Sequence, residues 1–149
     1  MRIVLDTVVV VSAARAKTGA SAELVRRALN RDFDLLLSAP LVLEYEAVLK
    51  RTSQLQASGY SLDDVDTLLL RLCQLSIKVT LGHFRRPAAS DPGDEHVLNL
   101  AWRGRADLLV THNLRHFEPG AMELGVKCTS PRDALSHLEA LNAANASSQ

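Results

Sequence analysis

The stretch Met1-Arg-Ile-Val-Leu-Asp6-Thr-Val-Val-Val-Val11-Ser-Ala decides how the rest of the chain is read. Ile3 to Leu5 is a short apolar run of the kind that a buried strand needs, and Asp6 ends it. The run has the outward look of a signal peptide, but Asp6 would put a charge in the hydrophobic core of that signal. The four valines from Val8 to Val11 favour a strand by propensity, yet a strand running straight through Asp6 would leave no turn to expose the carboxylate. The reading is therefore a first strand, a turn at Asp6 and then a helix.

Working outward, Ser21 to Asn30 carries helical spacing, and Phe33-Asp-Leu-Leu-Leu37 reads as a second strand. Ser38-Ala-Pro40 follows as an N-cap with proline just inside the next helix, whose apolar stripe is Leu41, Tyr45, Val48 and Leu49. Ser61-Leu-Asp-Asp64 opens another helix that runs through Leu68, Leu69, Leu72 and Leu75. Ser76 to Thr80 alternates as a strand, Asp94 to Trp102 is helical, Leu108 to Thr111 is a buried strand, Val126 to Thr129 is a further short one, and Pro131 to Leu141 closes with a helix. The predicted order is β-α-β-α-α-β-α-β-β-α, and strands separated by helices predict a mostly parallel sheet of four to five strands with helices on both faces. The class is α/β, with one domain over 1–141 and a small, polar, flexible tail over 142–149.

A chain of 149 residues with 47% hydrophobic content suits one domain with a real core. Lys plus Arg and Asp plus Glu each number 17, so the summed field is near zero and any nucleic-acid contact must be local. Cys73 and Cys128 belong to no Cys-x-x-Cys pair and fall inside apolar stretches, which suggests thiols in a reducing compartment. No apolar run approaches the ~20 residues that span a bilayer, so a cytoplasmic protein with no membrane attachment is expected. Phosphate-cradling glycine loops are absent.

Three acids then stand out. Asp6 ends the first strand, where a carboxylate would either cap the following helix or serve a site at the carboxyl end of the sheet. In Asp91-Pro92-Gly93-Asp94, Asp91 suits an N-cap and Asp94 the first helical turn. Val97, Leu98 and Ala101 follow Asp94 at three, four and seven residues, so it stands on the sheet-facing stripe. A carboxylate aimed there needs a partner, and a cation is one of few. On the helix after the second strand, Glu44 and Glu46 border opposite sides of the apolar stripe, and helical geometry does not choose between them.

Together these stretches resemble the PIN-domain family, and within it the bacterial VapC-like toxin ribonucleases. The first strand ending in Asp6-Thr7, the helix Ser38-Ala-Pro-Leu-Val-Leu-Glu44-Tyr-Glu, and Asp91-Pro-Gly-Asp94-Glu-His followed by Ala106-Asp-Leu-Leu-Val-Thr111-His-Asn-Leu-Arg-His116 carry the resemblance. It implies Asp6, Glu44 and Asp94 as catalytic, metal-holding acids, with Asp91 as an outer ligand and Mg²⁺ or Mn²⁺ as the cofactor. It also implies hydrolysis of RNA phosphodiester bonds, to a 5′-phosphate and a 3′-hydroxyl, by the toxin of a toxin-antitoxin pair. Thr7, Thr111, Asn113, Arg115 and His116 would contact substrate or support the acids, and Arg85 and Arg86 could pair with RNA phosphates. The implied partners are RNA, a small antitoxin and a second copy in a homodimer, for which Val8 to Val11 or Leu68 to Leu75 could supply a surface.

The chain departs from the family pattern twice. Val8 stands where the family usually has Asn or Ser, and Asn113 where it often has a fourth acid. The implied site would hold one metal firmly and a second with help from substrate phosphate. The alternative is a degenerate PIN domain that binds RNA or protein without cutting. Haloacid-dehalogenase-like and receiver domains fail on residues: the first wants an acid at Val8, the second one near Val79.

Overall fold

Ile3, Val4 and Leu5 are wholly buried, as the centre of a sheet covered on both faces requires. The computed structural model describes residues 1–83 and 91–148. In it strand β1 (Arg2–Leu5) lies between β2 (Asp34–Leu37) and β4 (Leu108–Val110), with Ile3 opposite Leu35 on one side and Leu108 on the other. Strands β3 (Ile77–Lys78) and β5 (Cys128–Thr129) form the edges, giving five parallel strands in the order β3-β2-β1-β4-β5.

The chain turns at Asp6. Its N–H donates to the Val110 carbonyl at 2.9 Å, tying the end of β1 to the end of β4, and its carboxylate accepts from the Thr7 N–H at the start of helix α1 (Thr7–Arg15). The valine run is helical, with Val9 and Val10 buried and Val8 facing out. Helix α2 (Ala20–Leu29) completes the first crossover. The second crossover is built from α3 (Ala39–Leu49), α4 (Thr52–Ser58) and α5 (Leu62–Leu75). Ser38 caps α3 through the Leu41 N–H, and Ser61 with Asp64 forms a capping box on α5. A 3₁₀ turn at Pro92–Asp94 leads into α6 (Glu95–Arg103), α7 (Leu114–Leu124) joins β4 to β5, and α8 (Pro131–Ser147) ends the described chain.

Right-handed crossovers fix the layers. The chain steps from β1 to β2 to β3 in one direction and from β4 to β5 in the other. The helices of the first two crossovers therefore cover one face, joined by α8 against α2, while α6 packs on β1 and β2 beside α7. The direction reverses between β1 and β4, and ligands of open α/β sheets settle at such a switch point, beyond the carboxyl ends of the strands.

The first crossover holds the two helices read after Asp6 and over Ser21 to Asn30, while the second holds three rather than two; α7 and the extents of β3 and α8 also differ from the sequence reading. Residues 114–124 are a helix although Pro119 and Gly120 interrupt the pattern; Gly125, at φ 73°, then ends it in the left-handed conformation that glycine tolerates. The strand expected over 76–80 pairs only at Ile77 and Lys78, a short edge of the kind that resists further strand addition. Helix α8 runs past Leu141 to Ser147 with exposed residues, so the segment read as a tail is helical. No described helix is long and apolar enough to cross a membrane.

Candidate active site

Each acid is delivered by a different connection: Asp6 by the turn after β1, Glu44 by α3 after β2, and Asp94 by the 3₁₀ turn before α6. All three line one cleft of about 400 Å³, together with Thr7, Val8 and Asn113. Asp6 is 5% exposed, and its two oxygens are separately held. Oδ1 accepts from the Thr7 N–H at 2.8 Å, and Oδ2 accepts from the Thr111 hydroxyl at 2.8 Å. Burial, opposed by those two hydrogen bonds and helped by the charges of Asp94 and Glu44, pushes the Asp6 carboxyl up to about 6.

Two threonines organise the floor of the cleft. Thr7 donates its backbone N–H to Asp6 and its hydroxyl to Glu44. Thr111, wholly buried, donates to Asp6 and accepts from the Asn113 N–H at 2.9 Å, so the start of α7 is registered to the acid on β1. Behind Glu44, Tyr45 is also wholly buried and donates its hydroxyl to the Leu5 carbonyl, which locks α3 to the end of β1. That lock decides what helical periodicity left open. Glu44 turns to the cleft, and Glu46 turns away to the Lys50 ammonium at 3.2 Å.

Asp94 is half-buried, with its carboxyl raised by desolvation and by the charges of Asp91 and Glu44; His116 and His96 oppose the shift. Asp91 is exposed and caps the 3₁₀ turn through the Gly93 N–H at 2.9 Å. His116 is exposed and does not line the cleft, although its charge bears on the Asp94 carboxyl. Arg115 is exposed and does not line the cleft. Arg85 and Arg86 lie outside the described residues.

Three contributors went unnoticed in the sequence. His96, two residues beyond Asp94, places Nε2 3.4 Å from Glu44 Oε1. Arg15 lines the cleft from the far end of α1, and Arg51 from the junction of α3 and α4. The spacing of His96 from Asp94 was visible, but nothing local marked either arginine.

The acids form a set of hard oxygen donors whose charges raise the carboxyls of Asp6 and Asp94, which suits a small divalent cation. Among the described residues no three His, Cys, Asp or Glu side chains stand close enough to enclose a metal by themselves. Mg²⁺ does not require such a cage, since it commonly takes one or two carboxylates and keeps several waters. The donor set therefore fits the ion.

The family model of the PIN domain matches residues 2–115, most of the chain. The chain belongs to the PIN-domain family. No curated protein matches it. PIN domains are typically nucleases and generally use divalent metal ions, and the matched span carries Asp6, Glu44, Asp91, Asp94, Thr111 and Asn113. The PIN match ends at Arg115, in the first turn of α7, so His116, β5 and α8 lie beyond it.

Proposed function

We propose that this chain is a divalent-metal-dependent endoribonuclease, the cytoplasmic toxin of a toxin-antitoxin pair. The observation that carries the reading is the convergence of Asp6, Glu44 and Asp94 from three separate connections onto the switch-point cleft, where Asp6 is pushed up to about 6. A cluster of buried and half-buried carboxylates in which Asp6 and Asp94 stay raised despite their surroundings costs stability, and sites of that kind are where function is found.

Asp6, Glu44 and Asp94 would hold Mg²⁺ or Mn²⁺, with Asp91 at the rim. Bound there, the ion supplies Lewis acidity, which lowers the pKa of water and offsets charge developing on phosphate and on the leaving oxygen. Thr7 keeps Asp6 and Glu44 oriented, and Thr111 holds Asp6 in its ionised form by donating to it. Asn113 borders the cleft with a side chain free of any capping bond, and in this reading it would meet substrate.

Cleavage of a labelled mixed-sequence RNA with Mg²⁺ or Mn²⁺, with EDTA, and by Asp94→Asn tests the reading. Metal-dependent cutting lost in the variant supports it; a folded wild type that cuts no better than the variant overturns it. The competing reading, a PIN domain that binds RNA or protein without cutting, draws on Val8, which is 40% exposed in the cleft and offers no polar group to the site. A wild type that takes up no Mn²⁺ yet binds RNA would favour it.

A further inference from the structure

The carboxylates occupy one end of the cleft. The other end is walled by Ser12 and Arg15 from the last turn of α1, and by Val48, Arg51 and Gln54 from the junction of α3 and α4. Arg15 lies nine residues beyond Asp6 and Arg51 seven beyond Glu44. At the helical rise this displaces their backbones by roughly 10–13 Å from those of the acids.

Both arginines are exposed, and among the described residues neither guanidinium has an ion-pair partner. The neighbouring Arg26 and Arg27, by contrast, are paired with Glu23. On the same wall Gln54 Oε1 is buried without a hydrogen-bond partner. A buried acceptor left in that state costs free energy until a donor reaches it. The terminal amide torsion of glutamine is broad, so that oxygen can turn toward the cleft at little cost.

We propose that Arg15 and Arg51 form a backbone subsite that takes a phosphate flanking the one held at the carboxylates, and so sets the path of the strand through the cleft. The inference rests on the nuclease reading and adds the means of holding substrate. The chain carries no net charge, so its overall field does not gather a polyanion; two unpaired guanidinium groups facing one cleft do so locally. Guanidinium suits phosphate because its fork of N–H donors matches the oxygens. The ribose 2′-hydroxyl beside that phosphate is the one backbone group of RNA able to donate to Gln54, and it is absent from DNA.

The test measures KM and kcat on a labelled single-stranded RNA with Mn²⁺ for wild type, Arg15→Ala, Arg51→Ala, the double variant and Arg51→Lys. RNA binding is followed by fluorescence anisotropy in EDTA from about 50 to 200 mM salt. Each alanine is expected to raise KM several-fold with a much smaller change in kcat. It should also flatten the slope of log affinity against log salt by about 0.7, the single-strand value for one phosphate contact, and Arg51→Lys should restore part of that slope. Turnover of bis(p-nitrophenyl) phosphate, which has no flanking phosphate, should fall less than turnover of RNA.

A double variant with wild-type KM and wild-type salt slope overturns the subsite, as does equal loss on RNA and on the small diester. If the wild type binds RNA without cutting it, the nuclease reading falls while the salt slopes still decide the subsite. If it neither binds nor cuts, both fall.

Discussion

The hydroxyl of Thr111 donates to Oδ2 of Asp6 at 2.8 Å, joining the ends of two adjacent strands across 105 residues of sequence. This bond favours the ionised carboxylate, against the burial that favours the neutral acid. Thr111→Val keeps the shape and removes the donor, so the Asp6 carboxyl should move above about 6, by about one unit for a hydrogen bond to a charged group. The acidic limb of the pH profile of kcat/KM should shift upward correspondingly, with activity recovered at higher pH, and Thr111→Ser should retain the wild-type profile. A Thr111→Val enzyme with an unmoved limb would show that Asp6 does not set it.

Burial of Asp6 has a cost in stability with a definite sign. Its folded-state pKa of about 6 lies above the ordinary 3.8, so the native state holds a proton that the unfolded chain releases between those values. Stability contributed by this group is fully present below pH 3.8 and is lost as pH rises through 6, by roughly 3 kcal/mol in total. Asn caps helices as well as Asp does, so Asp6→Asn should unfold at higher urea than wild type at pH 7.5 in EDTA, with the advantage fading toward pH 4. Added Mg²⁺ should stabilise wild type and leave the variant unaffected. A variant less stable than wild type at pH 7.5 would contradict the account.

How much of this was legible in the chain depends on whether the signal was local. The strand Ile3–Leu5, the turn at Asp6 and the Ser38 and Ser61 caps rest on short-range chemistry that the sequence displays, and the α/β class follows from their order. Helix α7 was hidden because Pro119 and Gly120 argue locally against a helix, while burial of Phe117 and Ala121 and the cap at Gly125 hold it together. The cleft acids were found through their motif-like contexts. Arg15 and Arg51 have no such context, since only the packing of α1 beside α3 and α4 makes one wall of them.

Val8 offers a test of what the cleft lacks. It is 40% exposed in the first turn of α1, two residues past the capping carboxylate, where the family pattern that the chain resembles usually has Asn or Ser. Little apolar area is lost on replacing it, so Val8→Asn should leave stability within about 0.5 kcal/mol. A polar group there can orient a carboxylate, water or substrate, so the variant should cut RNA faster than wild type or need less Mn²⁺ for half-maximal rate. Unchanged rates at every Mn²⁺ concentration would mean that position 8 plays no part in the chemistry.

Glu44 and Glu46 differ by two positions on one helix and should differ sharply in consequence. Tyr45, anchored to the Leu5 carbonyl, rotates α3 so that Glu44 accepts from Thr7 at the cleft while Glu46 meets Lys50 at the surface. The Glu46 pair is half-buried at the surface, and Lys50 keeps Asp66 at 2.6 Å as a second partner, so Glu46→Gln should cost no more than about 0.5 kcal/mol and leave cleavage intact. Glu44→Gln keeps the volume and an oxygen acceptor for Thr7 but removes a charge from the cluster. It should therefore leave the urea midpoint equal or higher while lowering metal-dependent cleavage by at least tenfold. Measuring both variants side by side separates folding from function; equal activity in the two would remove Glu44 from the site.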